Sequence, residues 1–138
     1  MFSTKNRLSM ITPNVESELY AYMGGVMKNL DSRCLAAGGT ENHVHLLISQ
    51  SKNIALSKLM EEIKKSSSKW IKTKDPALKT FAWQEGYGSF SIGQSQVEPV
   101  QQYIARQKER HKKETFEEGL VTLLKRYQVP YDERYIWS

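Results

Sequence analysis

Apolar residues recur early in the chain at the spacing of a helix: Val15, Leu19, Tyr22, Met23, Val26, Met27 and Leu30. Thr12-Pro13 precedes them as an N-cap followed by proline at the first helical position, so the pattern predicts a helix over about 13–30. Two short apolar stretches, 34–39 and 43–48, are separated by the turn-like Thr40-Glu41-Asn42 and read as a strand pair. Helical spacing returns near 54–73, where Leu56, Leu59, Met60, Ile63 and Trp70 form an apolar stripe. Beyond it, Phe81-Ala82-Trp83-Gln84 and Tyr87-Gly88-Ser89-Phe90-Ser91-Ile92 look extended and aromatic. Gly86 and Gly88 suggest a bulge or a close backbone approach, and the segment is expected to be a strand or an irregular hairpin.

Pro99 suits the first turn of a third helix over about 98–112. Thr115-Phe116-Glu117-Glu118 is a capping box that opens a fourth, with Phe116, Leu120, Leu123, Leu124 and Tyr127 inward and a bend near Lys113. A short N-terminal strand completes the order strand, helix, strand, strand, helix, strand, helices. That order predicts an α+β fold of ferredoxin-like, split βαβ type: an antiparallel sheet with helices packed on one face and a tyrosine-bearing C-terminal helix. At 138 residues and 39% hydrophobic content, the chain is expected to form a single domain over 1–138.

Charge changes the picture in one place. Residues 52–79 carry eight lysines against Glu61, Glu62 and Asp75, which accounts for the whole net charge of +5. Much of this excess lies on the polar side of the second helix, at Lys58, Lys65, Lys69 and Lys72, as expected either for a patch facing a polyanion or for a solvated lysine face. The single cysteine, Cys34, cannot close an intramolecular disulfide, no apolar run reaches the roughly 18 residues of a membrane span, and no secretory signal pattern opens the chain. A cytoplasmic setting without membrane contact is the expectation.

Candidate chemistry begins with His43-Val44-His45, which puts two imidazoles on one face of a predicted strand and Val44 on the other, a spacing suited to metal ligation or to two ordinary surface histidines. Tyr103 and Gln107, four apart, share a helix face, with His111 close by. A phenol with its ordinary pKa of about 10 is a poor nucleophile at neutral pH, but a divalent cation that polarises a phosphodiester lowers the barrier to its attack. On spacing alone Tyr103 is equally a packing residue beside Val100 and Ile104. Tyr87, between two glycines, is the second candidate nucleophile.

Five blocks occur in order: His43-Val44-His45-Leu46-Leu47; Ser67-Ser68-Lys69-Trp70-Ile71; Trp83-Gln84-Glu85-Gly86-Tyr87-Gly88-Ser89-Phe90-Ser91; Tyr103-Ile104 with Gln107 and His111; and Tyr131-Asp132-Glu133-Arg134-Tyr135-Ile136-Trp137. Together they closely resemble the single-tyrosine HUH transposases of the insertion-sequence-200 type, including their repeat-associated relatives, over essentially the whole chain. The resemblance implies that His43, His45 and Gln107, with His111 as the lesser alternative, bind Mg2+ or Mn2+. It implies that Tyr103 attacks single-stranded DNA to form a 5′-phosphotyrosine link and a free 3′-hydroxyl, which rejoins strands without a nucleotide cofactor.

It further implies DNA hairpins near element ends as the partner, a homodimer with a shared sheet, and Lys58, Lys65, Lys69 and Lys72 as contacts to the DNA backbone. Three positions depart from the family pattern: Asn42 stands where aspartate is common, Arg110 where a histidine is frequent, and the first strand is short. The alternatives are a cleavage-deficient protein that binds structured single-stranded nucleic acid, and a metal-dependent hydrolase that uses water and leaves Tyr103 idle.

Overall fold

The structure is a computed structural model that describes residues 1–108 together with Thr122 and Lys125. The expected fourth helix, the far end of the third, His111, Arg110 and the aromatic tail with Tyr131 and Tyr135 lie outside the described residues. Among the described residues six strands and α-helices form the α+β fold: β1 (Phe2–Ser3), α1 (Pro13–Asn29), β2 (Arg33–Thr40), β3 (His43–Ser49), α2 (Leu56–Ile71) and α3 (Val97–Ala105). The sheet order is β1-β3-β2 with both pairings antiparallel, so β3 is inserted between the two strands that α1 connects. This is the expected split βαβ arrangement.

Helix α1 follows the predicted stripe, with Val15, Leu19, Met23 and Met27 buried, while Tyr22 stands half-exposed and stacks on Trp70 of α2 at 5.1 Å. Thr12 occupies the N-cap position, but its hydroxyl meets Asn14 Oδ1 rather than a free backbone N–H. Helix α2 buries Leu59, Met60, Ile63, Ser67 and Ile71. The two helices cover one face of the sheet, where their apolar residues close over Val44 with Leu46 and Ile48 at the margin.

Helix α3 covers the opposite face, where Val100, Tyr103 and Ile104 pack with Ala36 and Leu47. A bulge in β2 makes this two-sided packing consistent. Cys34 pairs with Ile48 and faces α1 and α2, whereas Ala36 pairs with Leu47 and faces α3. Two residues apart in a regular strand would share a face; the extra residue, Leu35, reverses the alternation.

Three expectations are corrected. Helices cover both faces of the sheet rather than one, because α3 packs opposite α1 and α2. The aromatic segment at 81–92 is not a regular strand: among the described residues its pairing is one bridge, Thr4 to Trp83, with Lys5 N–H donating to the Ala82 carbonyl and Gln84 N–H to the Ser3 carbonyl on either side. Lys64 Nζ donates to the carbonyls of Gln84 and Gly86, both at 2.7 Å, and Gly86 takes a φ of 80°, so these backbone acceptors turn to an ammonium instead of a neighbouring strand. The third helix starts near its predicted place but α3 ends at Ala105, because Arg106 leaves helical geometry (φ −100°, ψ 14°) before Gln107 and Lys108 resume it.

Candidate active site

Strand β3 opens with the two histidines, and alternation sends both to the α3 side of the sheet while Val44 enters the opposite core. Their ring centroids lie 5.2 Å apart and nearly perpendicular. Tyr103 of α3 meets His45 edge to face, 5.7 Å between centroids. Gln107, just past the end of α3, brings its Oε1 to 3.0 Å from His43 Nε2, and its Nε2 donates to the Tyr103 carbonyl at 3.5 Å. All four side chains are buried: His43 is 2% exposed, His45 5%, Tyr103 4% and Gln107 4%. Residues about sixty positions apart in sequence thus form one polar cluster under α3.

A glycine lets the helix come this close. Gly38 pairs across the hairpin with His45, and a Cβ there would stand 2.5 Å from the Ile104 carbonyl oxygen. Glycine inside a strand pattern is the signal for such an approach, although the chain pattern alone does not say which backbone arrives.

Burial first, then the neighbouring His43 and the chain's amino terminus, hold the His45 imidazole well below its ordinary pKa, against an opposing hydrogen bond with Gln107. At neutral pH it is an uncharged ring. His43 Nδ1 lies 2.9 Å from Asn42 Oδ1 and 2.9 Å from Thr40 Oγ1. An amide oxygen only accepts, so the ring proton belongs on Nδ1, and Nε2 then presents its lone pair to Gln107 Oε1, a second acceptor. Two buried acceptors facing each other at 3.0 Å repel unless a positive charge lies between them. This donor set, two imidazole nitrogens and a carboxamide oxygen, therefore fits a divalent cation. Among the described residues no cluster of three His, Cys, Asp or Glu side chains offers another metal site.

Beside Tyr103 a cavity of about 530 Å³ opens, bordered by His45, Leu47, Phe90, Ile92 and Val100. The buried amine of Met1 sits at its edge, where it donates to the Gly88 carbonyl at 2.9 Å, and burial with the nearby Lys64 charge lowers its pKa from 8.0 to about 5.

The other predicted residues lie elsewhere. Lys58, Lys65 and Lys69 are exposed on α2 and Lys72 just past its end, across the sheet from Tyr103, and Lys58 is engaged by Glu62 at 3.1 Å and Glu61 at 3.8 Å. Tyr87 is an exposed loop residue, 38% accessible, whereas Tyr103 is the tyrosine held against His45. Thr40, buried at the end of β2 and bonded to His43 Nδ1, was not legible as a site residue; its position three before a histidine across a tight hairpin is the signal that could have found it.

Comparison with known proteins identifies the family of the chain. A sequence model of the family described as "Transposase IS200 like" matches residues 1–107, and the chain belongs to that family. Membership makes it a transposase, an enzyme of DNA transfer, with DNA as its partner and a general family dependence on metal. Among solved structures, a protein from Deinococcus radiodurans R1 described as a candidate transposase is similar in fold, with a TM-score of 0.60 and 19% identity over 77% of this chain and 85% of that one. No curated protein matches the chain by sequence. No helix among the described residues is long and apolar enough to cross a membrane.

Proposed function

We propose that this transposase, with 1–138 as a single HUH nuclease domain, cuts and rejoins single-stranded DNA through Tyr103, with His43, His45 and Gln107 holding Mg2+ or Mn2+. The observation that carries the reading is the convergence of a buried tyrosine, two imidazoles and a carboxamide on one side of β3. When bound, the cation would polarise the scissile phosphate and stabilise the charge that develops on it.

The phenolic oxygen of Tyr103 attacks the phosphorus and gives up its proton. The bond to the 3′-oxygen breaks, and that oxygen leaves as a protonated 3′-hydroxyl. The product is a 5′-phosphotyrosine link, which a 3′-hydroxyl reverses to join strands, so the phosphoester count is conserved and no nucleotide cofactor is needed. The cavity beside Tyr103 gives a substrate strand a route to the site.

DNA hairpins at element ends are the proposed substrate, with Lys58, Lys65, Lys69 and Lys72 contacting their phosphates. Because these lysines stand across the sheet from Tyr103, a bound hairpin would wrap an edge of the domain. The proposed homodimer would join its sheets along β2, which has no strand at its outer edge among the described residues.

The test uses 5′- and 3′-labelled single strands taken from the DNA that flanks the gene, incubated with manganese or with EDTA. A metal-dependent adduct that carries only the label 3′ of the cut and disappears in Tyr103→Phe is expected. An adduct that persists in Tyr103→Phe removes Tyr103 from the role. Salt-sensitive hairpin binding with no adduct in the wild type would make the protein a binding module instead, and cut DNA with free ends a hydrolase.

A further inference from the structure

We propose that Thr40 and Asn42 are positioning residues that hold His43 in the tautomer needed for metal binding. This inference rests on the reading of His43 as a ligand and goes beyond it, since neither residue meets the cation. The two lie in and beside the tight turn between β2 and β3, and Thr40 is the cross-strand partner of His43. Asn42 Nδ2 donates, at a long 3.5 Å, to the carbonyl of Arg7. That carbonyl is supplied by a turn in which Asn6 and Arg7 both adopt left-handed backbone geometry, with φ of 57° and 53°. Such geometry is costly for residues with side chains and persists only where the surroundings hold it. Here it gives the Asn42 amide group one orientation, with Oδ1 turned toward His43 Nδ1.

Thr40 adds a second restraint. Its hydroxyl donates to Asn42 Oδ1 at 3.1 Å and accepts from His43 Nδ1 at 2.9 Å, so the three groups form a closed set with the proton on Nδ1. The opposite tautomer would satisfy Gln107 Oε1 but set the Nδ1 lone pair against Asn42 Oδ1 at 2.9 Å. Together the two residues disfavour that state and keep Nε2, which faces Gln107 Oε1, unprotonated. Partners of the second ring nitrogen fix the orientation and basicity of a metal-binding histidine, and their loss weakens metal affinity roughly 10–100-fold. A neutral amide does this work without the extra negative charge that a carboxylate would add.

The test is manganese binding by calorimetry on the full chain, without DNA. Thr40→Val keeps a β-branched shape in the strand and is expected to weaken binding at least roughly tenfold, with Thr40→Ser restoring it. Asn42→Ala is expected to weaken binding similarly, whereas Asn42→Asp strengthens it by making the imidazole more basic. A merely structural role would not produce opposite responses to Ala and Asp. His43→Ala serves as the control. If it abolishes binding while Thr40→Val and Asn42→Ala bind like the wild type, the positioning roles are overturned and the ligand assignment stands. If His43→Ala binds manganese unchanged, the ligand assignment fails, and this inference falls with it.

Discussion

The two faces of the sheet are built on opposite principles although they share one strand. Toward α1 and α2, β3 presents Val44, with Leu46 and Ile48 at the margin, to a dry core that includes Leu19, Met23, Met27, Leu59, Ile63 and Ile71. Toward α3 the same strand presents His43, His45 and Leu47 to a small apolar cluster of Val100, Tyr103 and Ile104, and this side also buries Thr40 and Gln107. Burying an apolar side chain stabilises the fold by about 1.5–3 kcal/mol, whereas burying a polar group costs free energy unless its hydrogen bonds are met. The first face therefore supplies stability, and the second can hold desolvated imidazoles at a site where charge effects are strong.

The largest break in this division should come from the dry face. Leu59→Ala is expected to cost about 2–5 kcal/mol in urea unfolding, a large share of the roughly 5–15 kcal/mol available to a domain of this kind. A value below about 1 kcal/mol would show that the α2 core contributes less than its burial implies.

Next in size is an acid response confined to the other face. The Met1 amine, with its pKa lowered from 8.0 to about 5, takes up a proton more readily in the unfolded chain. Stability should thus be full above pH 8 and fall as the solution is acidified through the window from 8 to 5. The depressed His45 acts with the same sign below its ordinary value of 6.5. Hydrogen exchange should show α3 amides losing protection on acidification before those of α1 and α2. An acetylated amino terminus should flatten the upper part of the profile; an unchanged profile would remove the amine as its cause.

Gly38→Ala is expected to cost about 1–3 kcal/mol, since its Cβ would push against the Ile104 carbonyl and lift α3 with Tyr103. Adduct formation should drop more than stability does, and equal losses would mean that α3 is not seated by this contact. The smallest structural effect belongs to Lys58→Ala, an exposed residue whose ion pairs with Glu61 and Glu62 are solvated. Its melting temperature should not move. If the residue contacts phosphate, the salt dependence of hairpin binding should lose a slope of about one; an unchanged slope would take Lys58 out of the DNA interface.

The amino-acid sequence by itself determined α1, α2 and the β2–β3 hairpin, because periods of 3.6 and 2.0 are local properties that nearby residues enforce. It also determined that His43 and His45 share a face, and it singled out Tyr103 and Gln107 as partners. Only the tertiary structure decided that these four meet. Their meeting depends on the side of the sheet that α3 takes, on the bulge at Leu35 that turns Gly38 beneath the helix, and on a missing Cβ that admits it. It likewise decided that the α2 lysines lie across the sheet from the tyrosine and that the Gln84 and Gly86 carbonyls of the aromatic segment go to Lys64 instead of a ladder. Thr40 shows the same limit at the shortest range, since an ordinary strand residue acquires its part only when the hairpin closes and brings a histidine nitrogen to its hydroxyl. Periodicity records which way a side chain points along its own element, while the atoms it meets are set by packing between elements far apart in the chain.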